Sequence, residues 1–267
     1  MDMWERIIMK SKTNIIRYVI LVVAIAVFLF SAYKLYTIFS EYMRGNKEYK
    51  KIVEDVIIKE KVEITEGGVT HEVEVFKVDF EKLSKANSET VGWIRFEEPE
   101  KINYPIVQAG DNDKYLHTTF EGKRNSVGTI FMDAGQAKDF SDSNTFIYGH
   151  NMKDGSMFAG LREYKDQKFA KEYPFFYIYT PDGKELKYQV FAVGIVEDTS
   201  DSYQKYYQDE NEYLEYLEYI KSTALYETGV VVNATSQIVS LSTCTNVSDT
   251  QRLLVHGVKI GEKVVGE

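Results

Sequence analysis

The feature that most constrains this chain is an uncharged run of 16 residues between Arg17 and Lys34. With its apolar flanks the run covers residues 15–39, which is 25 positions. An α-helix rises ~1.5 Å per residue, so roughly 20 residues are enough to cross the ~30 Å hydrocarbon core of a membrane. Arg17 and Lys34 can extend their charged ends to the membrane surface. The run therefore predicts one transmembrane anchor over residues 15–39.

Two other interpretations of the apolar run are a buried core helix and a cleaved signal peptide. A signal peptide ends in a small-residue cleavage site after its apolar segment, whereas the Ala-x-Ala triplet at 24–26 lies inside the run. An uncleaved anchor is therefore favoured. Basic side chains before the run favour a cytoplasmic location for residues 1–14, although basic side chains also follow it. We expect a single-pass plasma-membrane protein whose large C-terminal part is extracellular.

Charge is unevenly divided along the chain. Residues 1–51 carry 9 basic and 4 acidic side chains, and the remainder carries 23 basic and 37 acidic side chains. An acidic surface of that size repels a phosphate backbone, so no nucleic-acid partner is expected. The single Cys cannot form an intramolecular disulfide, and with the four His it lacks the paired spacings of a structural zinc site. We expect no metal and no cofactor.

Beyond the anchor, a charged segment is followed by short strand-like runs. In residues 40–72, apolar positions near 52–57 are typical of a short amphipathic helix, and we interpret this segment as a helical stalk that ends near Gly67-Gly68. Residues 73–267 are expected to form one domain. Strands are expected at 73–78, 91–96, 104–107, 128–132, 144–148, 175–180, 186–196, 230–232, 238–241 and 253–260, and helices at 80–87, 157–164 and 211–222. This pattern predicts a mainly β barrel or sandwich with inserted helices.

Cys244 is the candidate nucleophile. It ends the strand-like run 238–244 and enters a polar loop, and strand ends that enter loops commonly present functional groups. A thiol attacks a carbonyl as the thiolate, so it needs a base or a cation nearby. The alternative is that Cys244 is a small buried hydrophobic residue, which is the commonest role of a free cysteine.

His150 and Arg252 are its candidate partners. His150 follows the strand-like run 144–148 and precedes a polar loop, where an imidazole can reach the surface. Arg252 follows Cys244 by eight residues, enough for a short loop to return a second strand beside the first. Alternation then places Arg252 and His256 on the face that points away from the core, so the guanidinium and the thiol can share one edge. The alternative interpretation of Arg252 is an ordinary surface salt bridge.

The motifs Tyr-Gly-His150, Leu-Ser-Thr-Cys244 and Arg252-Leu-Leu-Val together resemble the His, Cys and Arg motifs of sortases, the membrane-anchored cysteine transpeptidases of Gram-positive bacteria. The resemblance covers roughly residues 73–260. The stretches that begin at Val91 and Tyr104 (Val-Gly-Trp-Ile and Tyr-Pro-Ile-Val-Gln) are most similar to class B. The resemblance implies a closed eight-stranded β-barrel that follows a transmembrane helix and a helical stalk.

The resemblance also implies a reaction. Cys244 would cleave a C-terminal sorting signal of an exported protein after its Thr, and the thioacyl intermediate would pass to an amine of a peptidoglycan precursor or the cell wall. His150 would act as general acid and base, and Arg252 would stabilise the oxyanion. Asp249 or Asp133 are the candidate carboxylates to orient His150, which the sequence leaves open.

Three further residues, Asn112, Leu116 and Ser242, would line the substrate groove by the same resemblance. The tyrosine-rich insertion 198–222 would form a helix-bearing wall, its tyrosines serving either packing or ligand contacts. Two alternatives to a transpeptidase remain. One is a hydrolytic cysteine peptidase at the cell surface, and the other is a non-enzymatic surface domain with a buried Cys.

Overall fold

The computed structural model describes residues 3–66, 69–99 and 102–265, and the chain divides into two compact units, Met1–Arg44 and Gly45–Glu267. Helix α1 covers Met3–Val56. Within Ile15–Val56, an 18-residue window has a mean hydropathy of 2.6 and is not buried, so the helix is long and apolar enough to cross a membrane. The expected domain boundaries, after residues 14, 39 and 72, stay predictions.

The stalk is helical only in part. Helix α1 ends at Val56, and strand β1 (Ile57–Glu66) pairs antiparallel with β2 (Val69–Val78) in a separate two-stranded sheet. The expectation of a helical stalk is therefore wrong for residues 57–66. In this segment β-branched residues alternate with charged ones, and such a period-two pattern suits a strand that has a partner. Gly67-Gly68, where the stalk was expected to end, lies outside the described residues.

A closed eight-stranded barrel follows, so the predicted fold class is confirmed and the sandwich alternative is wrong. Its strands are β3 (Thr90–Phe96), β4 (Asn103–Val107), β5 (Ile130–Met132), β6 (Asn144–Tyr148), β7 (Phe175–Tyr179), β8 (Lys184–Glu197), β9 (Ile238–Cys244) and β10 (Gln251–Val264). Their order around the barrel is β10-β8-β7-β3-β4-β5-β6-β9. Only the β4–β5 and β6–β9 pairs are parallel. The expected strand at 230–232 is a loop, since closure leaves no strand edge for it to pair with.

The helices lie in the connections between strands. They are α2 (Phe80–Ala86), α3 (Gln167–Glu172) and α4 (Glu210–Ser222), with 3₁₀ turns at Lys114–Leu116, Phe158–Lys165 and Asp201–Tyr203. Asp79 and Asp209 cap α2 and α4, because each carboxylate accepts backbone N–H groups of the first turn that have no partner within the helix. The helix expected at 157–164 forms as the 3₁₀ turn instead.

The middle of strand β10, residues 253–258, is buried on both faces. One face lines the barrel interior, while α4 packs against Phe191, Ile238 and Val258 outside it and forms a second apolar cluster. His256, expected to face away from the core, is only 2% exposed. Its Nδ1 donates to Ser240 Oγ over 2.8 Å, since the Ser240 hydroxyl hydrogen is already given to Asn144 Oδ1. Burial lowers the pKa of His256 to about 3, so the ring is neutral.

Candidate active site

Strand register places the His and Cys motifs side by side. Strands β6 and β9 are parallel with Tyr148 opposite Ser242, and Gly149 N donates to Ser242 O over 3.1 Å. His150 and Cys244 each lie two residues beyond this pair, at the same rim of the barrel. Neighbouring strands are ~4.8 Å apart, so the two residues are adjacent without a long side chain having to reach across.

The same strand brings Arg252 to the other side of the thiol. Strands β9 and β10 are antiparallel, and Arg252 is the register partner of Cys244. Side chains of directly opposed residues in an antiparallel pair point to the same face. His150, two residues beyond the end of β6, therefore forms a row with Cys244 on β9 and Arg252 on β10, with the thiol in the middle.

A cavity of about 240 Å³ opens at this rim. Its lining includes all six residues that the sequence predicted, together with four that it did not. The lining residues are Asn112, Leu116, Phe131, Tyr148, Gly149, His150, Ser242, Thr243, Cys244 and Arg252. Cys244 is half-buried and faces this cavity. The interpretation of Cys244 as a merely buried residue is therefore wrong.

The imidazole of His150 is held by a backbone carbonyl. Its Nε2 lies 2.8 Å from Leu116 O, and because a carbonyl oxygen only accepts, Nε2 must carry a hydrogen. In the neutral ring this leaves Nδ1 as the nitrogen that can take up a proton. Among the described residues, the orienting group on His150 is this carbonyl rather than Asp133 or Asp249.

Asn151, which sequence reasoning missed, joins the two strand ends. Its Nδ2 donates to Cys244 O over 2.7 Å, and its own carbonyl accepts from Asn246 Nδ2 over 3.0 Å. The reciprocal bonds fasten the loop after His150 to the loop after Cys244. Its position directly after His150 was the only signal in the sequence for such a role.

The guanidinium of Arg252 is hydrogen-bonded to neighbouring residues, but some of its donors are left over. Its Nη1 donates to the carbonyls of Asp249 and Gln251, over 2.7 and 3.1 Å, and its Nη2 donates to Asp198 Oδ2 over 3.1 Å. Within the described part of the chain, these bonds use three of the five guanidinium hydrogens. The Nε hydrogen and one Nη2 hydrogen remain for a ligand in the cavity. The surface-salt-bridge interpretation of Arg252 is thus partly correct, because Asp198 is exposed.

Asn112 has a fixed orientation in the cavity wall. Its Oδ1 accepts from Ala134 N over 2.8 Å, and its Nδ2 donates to Asp133 Oδ2 over 3.0 Å. The buried Asp133 also accepts from Tyr148 and, over 2.5 Å, from Lys205 Nζ. Burial favours a raised pKa for Asp133, but the bonds from Lys205 and Gly135 N outweigh it and lower the pKa, so the carboxylate is charged.

The insertion between β8 and β9 reaches the same wall. Tyr203 lies in its first 3₁₀ turn, and its hydroxyl is 2.7 Å from Ser242 Oγ. Further along, Tyr207, Tyr213 and Tyr216 pack ring against ring. The insertion carries a helix, α4, as expected, whereas its role as a wall of the substrate groove stays a prediction. Packing accounts for these three tyrosines, whereas Tyr203 contacts a residue of the cavity.

No group of three or more His, Cys, Asp or Glu side chains within the described residues could hold a metal ion. The chemistry available at this rim is that of a thiol, an imidazole and a guanidinium. Such a set can form an acyl-enzyme, exchange protons and neutralise an oxyanion.

Comparison with known proteins identifies the family to which this fold and this site belong. The family model described as "Sortase domain" matches residues 98–260. The chain therefore belongs to the sortase family, and it is a cysteine transpeptidase of class B.

The similar proteins and structures agree with one another. Sortase B of Listeria monocytogenes is 34% identical over 93% of this chain and 98% of that protein. Sortase B of Staphylococcus aureus is 29% identical over 94% of this chain and 98% of that protein. The crystal structure of sortase B from Bacillus anthracis in complex with AAEK1 matches with a TM-score of 0.69 and 34% identity, over 84% of this chain and 99% of that one. A substrate complex of Staphylococcus aureus sortase B matches with a TM-score of 0.63 and 30% identity, over 68% of this chain and 84% of that one.

Proposed function

We propose that Cys244 is the nucleophile of the transpeptidase, with His150 as proton-transfer group and Arg252 as oxyanion-binding group. The observation that carries the proposal is that Arg252 on β10 is the register partner of Cys244 on β9, and that both line one cavity with His150, which lies just beyond β6. A carbonyl carbon placed over the thiol is then within reach of a base on one side and a cation on the other.

The first half of the reaction forms a thioester. His150 Nδ1 takes the proton of the Cys244 thiol, and the thiolate attacks the carbonyl carbon after the Thr of a sorting signal. The oxyanion that forms is met by the remaining donors of Arg252. Collapse of this intermediate breaks the peptide bond, and His150 gives its proton to the departing amine.

The second half transfers the acyl group. An amine of the cell wall or of a peptidoglycan precursor enters, loses a proton to His150 and attacks the thioester carbonyl. The C–S bond then breaks, and His150 gives its proton to the departing Cys244 thiolate. Since His150 must gain and lose a proton in each half, the activity is expected to have a bell-shaped pH profile. We propose that Asn112, Leu116 and Ser242 contact the sorting signal, and that the orientation of Asn112 offers its second Nδ2 hydrogen to a peptide carbonyl.

The location proposed for this reaction is the outer face of the plasma membrane. The apolar part of α1 is a candidate span, and the basic residues before it favour a cytoplasmic N-terminus. A cysteine-labelling test decides the topology in whole cells, because the chain has a single Cys. Modification of Cys244 by a membrane-impermeant thiol reagent is expected, and protection until the cells are lysed would contradict the topology.

Mass spectrometry of the acyl-enzyme tests the catalytic assignment. Full-length protein is mixed with Thr-containing sorting peptides, with triglycine as the amine. A mass increase on Cys244 and a triglycine-linked product are expected. Cys244→Ala should form neither, while His150→Ala and Arg252→Ala should slow both, and Ser222→Ala, on the exposed end of α4, serves as control. An adduct that persists in Cys244→Ala would overturn the assignment, and hydrolysis alone with every amine tried would contradict the proposed acceptor.

A further inference from the structure

The position of His150 depends on one carbonyl of a long connection. Leu116 ends the 3₁₀ turn Lys114–Leu116, which lies between β4 and β5, and its oxygen accepts from His150 Nε2 over 2.8 Å. Hydrogen bonds weaken steeply when distance or angle departs from the optimum. Whatever holds the Leu116 carbonyl in place therefore also sets the orientation of the imidazole.

Gly128 is the part of the same connection that packs against both groups. It has a φ of +63°, and a Cβ placed on it would lie 2.5 Å from Tyr115 O, 3.0 Å from Leu116 O and 3.1 Å from His150 Cδ2. The next residue, Thr129, donates its N–H to Tyr115 O over 3.0 Å. A shift of the backbone at 128–129 is therefore transmitted to the Leu116 carbonyl and to the ring.

Tyr49, near the end of α1, holds this backbone. It is 4% exposed, and its hydroxyl donates to Gly128 O over 2.6 Å and lies 3.0 Å from Thr129 Oγ1. The hydroxyl also accepts from Phe120 N over 3.3 Å. Burial raises the pKa of Tyr49 well above its usual value, so the phenol keeps the proton that it donates.

Neighbouring residues of α1 dock the same helical segment. A Cβ on Gly45 would lie 2.9 Å from Val127 Cγ2, so the helix backbone packs directly on the residue before Gly128. Glu48 is buried and accepts from Glu121 N over 3.0 Å. Asn46 donates to Asp154 over 2.7 Å, in the loop that follows His150. The segment from Gly45 to Val56 thus contacts chain segments that precede and follow His150 in the sequence.

We propose that Tyr49 is a positioning residue for His150, acting through Gly128 and the Leu116 carbonyl. The proposal rests on the proton-transfer role given to His150 under the proposed function. Tyr49 touches neither the thiol nor the cavity, so it affects the rate of the chemical steps and not the affinity for peptide. The C-terminal end of α1 thus contributes to the activity of the transpeptidase without lining the cavity.

Tyr49→Phe tests the role, because it keeps the ring and its edge contact with Tyr104 and removes one oxygen. In full-length protein in detergent, kcat is expected to fall about tenfold with KM within about twofold, as for a small misplacement of a catalytic group. In isotope-labelled protein, the Nε2 and Cε1–H resonances of His150 are expected to move. Tyr164→Phe is the matched control, since that buried hydroxyl also donates to backbone carbonyls, those of Glu98 and Tyr173.

The outcomes separate the two proposals. If Tyr49→Phe behaves as Tyr164→Phe does in kcat and in the His150 resonances, the positioning role is wrong. If His150→Ala or Cys244→Ala retains full activity in the same assay, the catalytic assignment itself fails. Should Tyr49→Phe not fold by circular dichroism, Thr129→Ala decides, because it removes the second oxygen at the Tyr49 hydroxyl. A smaller fall in kcat and a shift of the His150 resonances support the role, and their absence overturns it.

Discussion

Cys244 and Arg252 face each other as register partners on β9 and β10. The pairing places the thiol one strand away from a guanidinium whose position is held by two backbone carbonyls and by Asp198. The parallel neighbour β6 then supplies His150 on the other side. Strand β9 pairs antiparallel with β10 and parallel with β6, and these two pairings bring the three residues together. The site therefore depends on the order of strands in the barrel as much as on the three motifs.

Replacement of Arg252 by Lys is expected to abolish most of the activity. A single ammonium cannot hold the carbonyls of Asp249 and Gln251 and also donate to an oxyanion, since its geometry lacks the planar fork of Arg. We expect kcat/KM to fall by about 10² to 10³ with a peptide substrate, the range for loss of one oxyanion donor. Arg162→Lys is the control, because that side chain is exposed and pairs only with Glu163 among the described residues. Equal activity of the two variants would contradict the role of Arg252.

The buried His256 is expected to make stability pH-dependent. Its folded-state pKa is about 3 and its ordinary value is 6.5, so between these values the unfolded chain binds a proton that the folded chain does not. The free energy of unfolding therefore falls as the pH falls below 6.5, by at most about 1.4 kcal/mol per pH unit. Urea midpoints between pH 7 and 5.5 measure the slope, which His256→Gln is expected to flatten. An unchanged slope would show that the ring is not held neutral.

Asp133→Asn is expected to loosen the wall of the cavity. The substitution removes the charge that Lys205 pairs with and weakens the acceptor for Asn112 and Tyr148. We expect a loss of about 1–3 kcal/mol in the free energy of unfolding at pH 7. Because the folded-state pKa is lowered, the contribution is present above the ordinary pKa of about 3.8 and is lost as the pH falls through the folded-state value. Chemical denaturation measures the free energy of unfolding, and Asp182→Asn, at an exposed position, is the control. Equal losses of stability in the two variants would contradict the prediction.

A side chain at Gly257 is expected to lower the stability of the barrel. A Cβ there would lie 2.3 Å from Phe176 Cε1, and that ring is stacked between Phe96 and Tyr188, so it cannot move aside. Gly257→Ala is expected to cost about 1–3 kcal/mol by overpacking. On the same strand, a Cβ on Gly261 would meet only Lys187 Cβ at 3.9 Å, an ordinary contact. Thermal unfolding of both variants is the measurement, and similar midpoints would contradict the packing.

Local signals were enough to predict the elements that carry the site. The apolar run predicted the candidate span, and Cys244, His150 and Arg252 were placed at strand ends from β-branched runs and polar loops. These patterns work because apolar periodicity and turn chemistry depend on neighbours in the chain. Burial of His256 could not be predicted, because alternation along β10 does not reveal that α4 covers the outer face of the strand.

The sequence by itself determined the apolar helix, most of the barrel strands and the family, and it pointed to Cys244 as the candidate nucleophile. Tertiary structure alone decided that Leu116 supplies the carbonyl for His150, that Tyr49 supports this carbonyl through Gly128, and that residues 57–66 form a strand. Each of these contacts joins segments far apart in the chain or depends on a partner strand. Barrel closure and strand register decide which segments meet, because in a closed barrel every strand edge is paired with a neighbour. No local pattern of residues encodes that choice.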